Sequence, residues 1–491
     1  MKKFIALSAI AALSTGAFAA EDLSAKIADL ESQLKALNAK VNEVKAHDAN
    51  DNLKFNVDFR TSIDSLNYKM ADGVSTAENP DLMTNRLWLN MGYAVDQNNV
   101  FKGTLSYNKA YGDSANHSQA NVANGVGFAN FDWVTNENAT DNTLKVKEAY
   151  WLYMNDTFLG TDHPWTASFG RRPSTDGLGI NLRENTDPKS PLAHTVNVEF
   201  DGASFKFDNI LPTPGDSFKI CLGRGLTNAR PRFDMFGPAY AEDTRKTEDV
   251  DMYGFIFVSY DDGQYSISTN WAKADHLIGF TASSMGAFEQ AADAYMQNPN
   301  GTNLANYMAA VPNFVDVGSI ELATAMFKAE GIGNGISPAL DDTKFLASWA
   351  MSKTHPNVNN GGMLGETESK TGNSIWIGLN APCPLTTDGR WGVEWNKGSK
   401  YWRSVTYGED TMIGSKIAAR GDAYEAYYKK PLTKALTADL RYTYIKYDYT
   451  GSNNFFGYDG KPVAMSDVDA NHKASTVEKA QDIRLAVSYR F

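Results

Sequence analysis

Apolar and polar residues alternate along most of the chain from residue 53 onward. In 53–60 the odd positions are Leu, Phe, Val and Phe, and the even positions are Lys, Asn, Asp and Arg. A period of two with one polar face predicts β-strands. The pattern returns at 87–95 and 101–107, which a short turn joins, at 256–271 and at 375–395. Several of these segments approach the roughly 10 residues that a tilted strand needs to cross a bilayer.

Short and long connections alternate between the predicted strands. Short ones lie at 96–99, 261–263 and 431–435, whereas 110–142, 173–194, 225–249 and 449–480 are long and polar. This rhythm is typical of outer-membrane barrels, which have short periplasmic turns and long outer loops. The sequence therefore predicts an all-β protein, a transmembrane antiparallel β-barrel of about 16 strands over 53–491.

Segment 281–340, which is rich in Ala and Met, is compatible with two structures. It can contain a strand near Val317–Lys328, or it can be a helical insert. Such an insert would either fold into the lumen or cap the barrel from outside.

The apolar spacing before residue 53 is helical. Its steps alternate between four and three residues, which predicts a coiled-coil seam within 21–48. The seam consists of Leu23, Ile27, Leu30, Leu34, Leu37, Val41 and Val44. These residue types do not separate a dimer from a trimer, so the expectation of a homotrimer rests on analogy with porins. The alternative is a helix that packs back on the barrel.

Residues 1–20 have the features of a secretory signal peptide. Lys2 and Lys3 precede an apolar stretch, and small residues follow at Ala17–Ala19. The stretch is shorter than the roughly 20 residues of a membrane-spanning helix, so an uncleaved anchor is the weaker alternative. No comparable apolar run follows, and a barrel is then the expected way to cross a membrane.

Charge and cysteine content narrow the possible functions. The formal net charge is −12, which disfavours nucleic-acid binding because phosphate contacts need a basic surface. Two cysteines, Cys221 and Cys383, can pair or remain free. The absence of a Cys-x-x-Cys-His motif argues against covalently bound haem, and the sequence predicts neither a cofactor nor a metal site.

The last strand carries the most specific signal. Residues 482–491 alternate strictly and end on an aromatic pair at Tyr489 and Phe491. This resembles the terminal strand that the barrel-assembly machinery recognises in outer-membrane proteins. A soluble β-sandwich, the alternative fold, has no need of such an ending.

Short polar and aromatic strings recur in the last hundred residues. They are Lys400-Tyr401-Trp402-Arg403, Tyr407-Gly408-Glu409-Asp410, Arg420-Gly421-Asp422-Ala423-Tyr424, Tyr449-Thr450-Gly451-Ser452 and Phe455-Phe456-Gly457. These strings resemble a family of porin-like outer-membrane proteins of Gram-negative bacteria, whose members also have a signal peptide, a heptad segment and a terminal Phe. The resemblance is looser through the middle of the chain. It implies an outer-membrane location with the coiled coil in the periplasm, but no substrate.

Charged residues within the strands are the candidate functional residues. An Arg or Lys that faces lipid at the bilayer midplane costs about 2–4 kcal/mol, so these side chains are expected to face the lumen. There they would bias which small hydrophilic solutes or ions pass. The alternative is that many pair within the wall or lie at its rim. The candidates are Arg60, Arg86, Lys145, Lys147, Arg172, Glu394, Glu425, Arg441 and Arg484.

Two arginine pairs are candidate anion sites, Arg171 with Arg172 and Arg230 with Arg232, because a guanidinium fork matches carboxylate or phosphate. An enzyme is disfavoured because the seven histidines are dispersed and lack metal-ligand spacing. The remaining alternative is a plugged barrel that serves as a surface adhesin or structural anchor, with 281–340 as the plug. The preferred prediction is a porin-like channel that contacts outer-membrane lipid.

Overall fold

The computed structural model describes residues 54–112, 144–172, 174–184, 186, 189–225, 235, 237 and 248–491. The predicted signal peptide at 1–20, the predicted coiled coil at 21–48, and Arg230 and Arg232 lie outside the described residues.

Sixteen strands of the described part form one sheet. They are β1 (Lys54–Met70), β2 (Thr76–Ala94), β3 (Asn99–Ala110), β4 (Leu144–Asn155), β5 (Trp165–Arg172), β6 (Phe200–Asp208), β7 (Ser217–Gly225), β8 (Val250–Asp261), β9 (Tyr265–Gly279), β10 (Val315–Glu330), β11 (Lys344–Pro356), β12 (Thr371–Pro382), β13 (Arg390–Gly398), β14 (Gly421–Pro431), β15 (Leu436–Tyr447) and β16 (Val477–Arg490). The α-helices are α1 (Ile180–Glu184), α2 (Ala282–Gln297), α3 (Gly301–Ala309) and α4 (Pro338–Asp341).

The sheet closes on itself. Each strand pairs antiparallel with its neighbours in sequence, and β1 also pairs with β16. Beyond β16, the Phe491 N–H donates to Val57 O at 3.0 Å, and the Val57 N–H donates to Phe491 O at 2.9 Å. Closure leaves no unpaired edge, which is the condition for a sheet to face lipid. The predicted antiparallel barrel of about 16 strands is confirmed.

The alternation of the sequence separates the two faces of the wall. In β12, Ile375 and Ile377 point outward and are 43% and 38% exposed, whereas Trp376 between them is fully buried inside. In β16, Ile483 and Leu485 point outward and Arg484 points inward. Apolar side chains thus cover the outer face, whereas the interior receives the polar and charged strand residues together with some apolar ones such as Trp376.

The connections differ between the two ends of the barrel. The end that carries Lys54 and Phe491, here called the turn end, has short connections such as 95–98, 262–264 and 432–435. The opposite end, here called the loop end, has long connections at 173–199, 399–420 and 448–476. These positions follow the alternation that the sequence predicts.

Three of the long connections fold into the barrel. Ala193, Val198, Val405, Ile417 and Phe456 are each essentially inaccessible to solvent. They belong to segments that pack against each other and against inward-facing wall residues. Backbone pairing also links two of these segments, because the Asn197 N–H donates to Val405 O at 2.8 Å. The interior therefore has a packed core made of loop segments.

Helices α2 and α3 form a hairpin between β9 and β10, and neither contains a buried residue. Phe280 and Phe314 stack across its base with ring centroids 4.6 Å apart. Residues Val315–Glu330 form β10, which includes the segment considered for a strand from the sequence. Residues 281–340 therefore do not form one helical insert, because one part is a hairpin without buried residues and another part is barrel wall. Each helix in the described part is too short or too polar to cross a bilayer.

Candidate functional site

The candidate site is the barrel interior, where the nine charged wall residues selected from the sequence have different surroundings. Seven are buried, whereas Lys145 and Arg172 are half-buried. The inward direction agrees with the alternation of their strands. The seven buried residues, however, lie beneath folded-in loops instead of facing an open space.

One buried cluster surrounds Asp410, which lies in the loop between β13 and β14. Arg60 donates to its carboxylate through two nitrogens, Arg86 Nη1 lies 3.2 Å from Oδ2, and Arg484 Nη1 lies 3.2 Å from Oδ1. Arg60 and Arg86 lie directly opposite each other on β1 and β2. Like charges in that position repel, and Asp410, together with Asp58 at 3.4 Å from Arg86, supplies the negative charge that offsets this repulsion.

The surroundings also fix the ionisation of Asp410. Burial alone would raise the pKa of this carboxyl, but Arg60, Arg484 and Arg86 outweigh burial and hold its pKa well below the usual range. Asp410 is therefore an anion at neutral pH. It joins the loop to strands β1, β2 and β16 at one point.

A second cluster repeats this arrangement with the opposite sign. Glu394 and Glu425 lie opposite each other on β13 and β14. Lys416, from the same loop as Asp410, lies 2.6 Å from Glu394 Oε2 and 2.9 Å from Glu425 Oε1. Arg183 of α1 adds a contact of 2.9 Å to Glu425 Oε1. Loop cations thus neutralise two wall carboxylates that would otherwise repel.

Helix α1 contributes a third contact through Glu184. Its carboxylate lies 2.9 Å from Lys429 Nζ and 3.0 Å from Arg441 Nη2. Burial raises the pKa of Glu184, but Lys429, Arg441 and Arg183 together bring it well below the ordinary value. Lys147 Nζ on β4 similarly lies 2.6 Å from Oε1 of Glu199, the last residue of this loop before β6. The loop between β5 and β6 is therefore fixed to both sides of the barrel.

His194 lies at the centre of the packed interior. Its ring nitrogens are 2.7 Å from Ser348 Oγ and 2.9 Å from Ser374 Oγ, and Trp376 and Trp402 pack edge-on against the ring. Burial lowers the pKa of this histidine to about 3. His194 is therefore neutral and structural at ordinary pH.

The opposite side of the interior is open. A cavity of about 400 Å³ lies between the inner face of β4–β9 and the segment 189–192. Serine side chains from several strands line it, including Ser168, Ser204, Ser217 and Ser268, together with Tyr150 and Val258. Of the nine wall candidates, Arg172 lines this cavity. The barrel thus contains a cavity along β4–β9, while other wall residues of β8–β10 pack against the folded-in loops.

Several other residues singled out in the sequence are placed by the structure. Arg171 donates to Val146 O at 2.7 Å and lies 3.5 Å from Asp201, whereas Arg172 donates to Ser168 and Ser204, so the two arginines do not form one site. Cys221 and Cys383 are both free. Tyr489 and Phe491 point outward, with Phe491 78% exposed.

The sequence reasoning missed the loop residues that complete the clusters, above all Arg183, Glu184, Asp410 and Lys416. One signal was available, because Asp410 and Glu409 lie in a string that carries the family resemblance. Charged residues in a polar loop are ordinarily exposed, so composition did not distinguish these residues from others.

Comparisons with known proteins add a family and a set of barrels. Residues 76–491 match a family described as protein of unknown function (DUF3373). None of the curated proteins compared with the chain matches it.

Among solved structures, the chain is similar to Pseudomonas putida OprB at 12% identity, covering 91% of this chain and 96% of that chain with a TM-score of 0.45. Salmonella typhi OmpF in complex with daunomycin matches at 10% identity, covering 90% and 98% with a TM-score of 0.45. Outer-membrane expressed OmpT of Vibrio cholerae matches at 10% identity, covering 89% and 97% with a TM-score of 0.43.

Proposed function

We propose a function for this chain, which belongs to the family of proteins of unknown function named above, from the structure of its barrel interior. The protein is an outer-membrane, porin-like channel for the passive diffusion of small hydrophilic solutes or ions. The path runs off-centre, between the inner face of β4–β9 and the folded-in loop between β5 and β6. The observation that supports this proposal is the incomplete filling of the interior, which leaves a cavity of about 400 Å³ lined in part by serine hydroxyls and charged side chains.

The chemistry of the cavity suits water and small solutes. Its serine hydroxyls both donate and accept hydrogen bonds, so they can replace part of a solute's hydration shell during passage. The cavity also contains charged side chains, which create a local field that favours one sign of ion. A barrel whose lumen was completely plugged would have no need of serine hydroxyls and charged side chains along β4–β9.

The packed side gives the path a fixed boundary. Asp410, Lys416 and Glu184 each join a loop to two or more wall residues. Removing one partner from a buried ion pair costs about 3–5 kcal/mol, so these loops do not leave the lumen readily. The channel is therefore proposed to have a constant narrow cross-section instead of a gate formed by these loops.

The same proposal includes the surroundings of the barrel. The apolar outer face contacts outer-membrane lipid, and the turn end faces the periplasm, where the coiled coil at 21–48 would lie. The barrel-assembly machinery would recognise the last strand through Tyr489 and Phe491. The coil would favour a homotrimer by holding barrels together.

The test is single-channel recording of the refolded mature protein in planar bilayers. Stepwise openings are expected. Val258→Trp, which places a large ring in the cavity, should at least halve the conductance step. Phe257→Trp, one residue away and on the outer face, is the matched control and should leave the step unchanged.

Two results would argue against the proposal. A wild-type barrel that inserts fully but stays silent would favour the plugged anchor or adhesin. Equal steps in both tryptophan variants would show that current does not pass along β4–β9.

A further inference from the structure

The cavity along β4–β9 is lined by more positive than negative charge. Five basic side chains line it, Arg172, Lys189, Lys206, Lys219 and Lys328, and the acidic side chain of Asp261 lies at the turn end. Asp261 Oδ1 accepts a hydrogen bond from the Gly263 N–H at 2.9 Å, as part of the turn between β8 and β9. The acidic residue is thus engaged in its own turn.

Three of the five cations have a carboxylate partner. Lys189 pairs with Glu148, Lys206 lies 2.6 Å from Asp208 Oδ1, and Lys328 lies 2.7 Å from Glu330 Oε1. These pairs reduce the positive field near their own positions. The remaining two cations, Arg172 and Lys219, therefore dominate the field in the cavity.

Arg172 and Lys219 contact hydroxyl groups. Arg172 Nη1 donates to Ser168 Oγ and Ser204 Oγ, and Lys219 Nζ donates to Ser190 Oγ at 2.6 Å. Arg172 Nε is buried and has no hydrogen-bond partner in the described part of the chain. Nor does a carboxylate of those residues lie within 4.0 Å of either cation.

Strand register explains why the two cations are neighbours. Ser168, Ser204 and Cys221 are consecutive partners across β5, β6 and β7, and Lys219 lies two residues before Cys221 on the same face. Arg172 extends down this face to the two serines. Both cations therefore point into one small region of the cavity.

The packed side of the barrel shows how this chain treats like charges that face each other. Asp410 lies between Arg60 and Arg86, and Lys416 lies between Glu394 and Glu425. Lys206 and Lys219 also face each other, on β6 and β7, but no described loop residue places a carboxylate at Lys219. Lys219 is half-buried, and a cation that is partly withdrawn from water without a counter-charge favours an external anion.

We propose that Arg172 and Lys219 form an anion-binding subsite within the channel, for a small oxyanion with a carboxylate or phosphate group. The guanidinium fork and the ammonium would donate to its oxygens, and the hydroxyls of Ser168, Ser190 and Ser204 would supply further donors. This inference rests on the proposed channel function and specifies its solute class.

The first experiment measures ion preference and block in the same bilayer recordings. In a potassium chloride gradient, the wild-type reversal potential should indicate a preference for chloride, and inorganic phosphate should reduce the chloride current. Lys219→Gln and Arg172→Gln should each weaken phosphate block by about tenfold or more, the equivalent of losing one charge-assisted hydrogen bond. Both variants should also shift the reversal potential towards potassium.

Matched variants separate this subsite from general loss of charge. Lys206→Gln removes a cation from the same cavity wall, but one that Asp208 already compensates, and it should change block far less. Lys219→Arg keeps the charge and should retain block. Acetate, used in place of phosphate, distinguishes a carboxylate solute from a phosphate solute.

Calorimetry of phosphate binding to the refolded barrel in detergent separates the subsite from the channel. If the barrel is silent but phosphate binds with a heat that Lys219→Gln abolishes, the subsite is upheld and the channel proposal fails. If the barrel conducts but Lys219→Gln and Arg172→Gln behave like Lys206→Gln, the subsite is overturned and the channel stands. A barrel without phosphate block and without binding heat also overturns the subsite.

Discussion

Asp410 concentrates three ionic contacts on one loop carboxylate. Arg60, Arg86 and Arg484 come from strands at the closing seam of the barrel, and each contacts this single group. Asp410→Asn would leave the three guanidinium groups without that charge. Loss of one partner of a buried pair costs about 3–5 kcal/mol, and we expect a loss of unfolding free energy in this range. Urea unfolding of the barrel in lipid vesicles, followed by tryptophan fluorescence, measures it.

Asp467→Asn is the matched control for that substitution. Asp467 also lies in a loop at the loop end, but it is exposed and its carboxylate accepts from the neighbouring Ser466 hydroxyl. Its loss should change the unfolding free energy by less than about 0.5 kcal/mol. Equal effects of the two substitutions would mean that Asp410 does not hold the packed side together.

His194 should make the stability of the barrel depend on pH. Its folded pKa is about 3, whereas an unfolded histidine has a pKa of about 6.5. As pH falls below the unfolded value, the unfolded state binds a proton that the folded state does not, so stability decreases. Between pH 7 and pH 5 this group alone should lower the unfolding free energy by about 2 kcal/mol.

His194→Gln, which remains neutral, should lack this contribution, so the wild type should lose about 2 kcal/mol more than the variant over the same pH range. The measurement is the unfolding free energy of both proteins at the two pH values. His472→Gln, at an exposed loop position, is the control and should follow the wild type. Parallel pH curves for wild type and His194→Gln would contradict the buried neutral histidine.

For single residues, the sequence predicted which face of a strand a side chain occupies but not which residue it contacts. Alternation placed Arg441 on the face opposite Leu440, because successive strand residues point to opposite sides. Its partner Glu184 lies more than 250 residues earlier, in a short helix between β5 and β6. No local pattern connects residues so far apart, so the ion-pair clusters became visible only in the folded chain.

Among the elements, strands β6 and β7 lie close together where Gly202 pairs with Gly223. A methyl group on Gly202 would lie 2.0 Å from the carbonyl oxygen of Leu222, which no small adjustment relieves. Gly202→Ala should therefore destabilise the barrel by about 1–3 kcal/mol, the cost of overpacking. The unfolding assay in vesicles measures this loss.

Gly92→Ala is the matched control on β2, because nothing lies within 4 Å of the added methyl group. It should change stability by less than about 0.5 kcal/mol. The close approach at Gly202 lies in the wall of the proposed path. If Gly202→Ala were as stable as Gly92→Ala, the result would show that β6 and β7 leave room for a methyl group at Gly202.

The strands were easier to predict from the sequence than the positions of the segments that connect them. Strands with one apolar and one polar face, such as β1 and β16, can be recognised from the alternation of their residues, because one face contacts lipid and the other faces the interior. The segment 281–340 was ambiguous because Ala and Met suit both helix and buried strand. Nothing in the sequence distinguished loops that fold inward, such as 399–420, from loops that remain outside, because both are polar.

For the whole molecule, we propose separate tasks for the barrel and for the predicted coiled coil. The barrel closes through β1 and β16 within one chain, so it needs no partner to satisfy its strand edges. The predicted coil at 21–48 precedes β1 and lies outside the described residues, and its seam of about seven apolar positions is too short to be stable alone. Tethering to barrels in one membrane would raise its effective concentration, which would make assembly by the coil possible.

Deleting residues 23–44 should therefore weaken oligomers without affecting the barrel. We expect native mass spectrometry in detergent to give mainly trimers for the mature protein and mainly monomers for the deletion variant. Single-channel steps of the variant should keep the unit conductance, because each barrel has its own path. A control variant with the seven seam residues unchanged and the intervening polar residues shuffled should remain trimeric, since the seam carries the contact. An unchanged oligomer mass after the deletion would show that the barrels associate through their outer walls, and the N-terminal helix would then need another role.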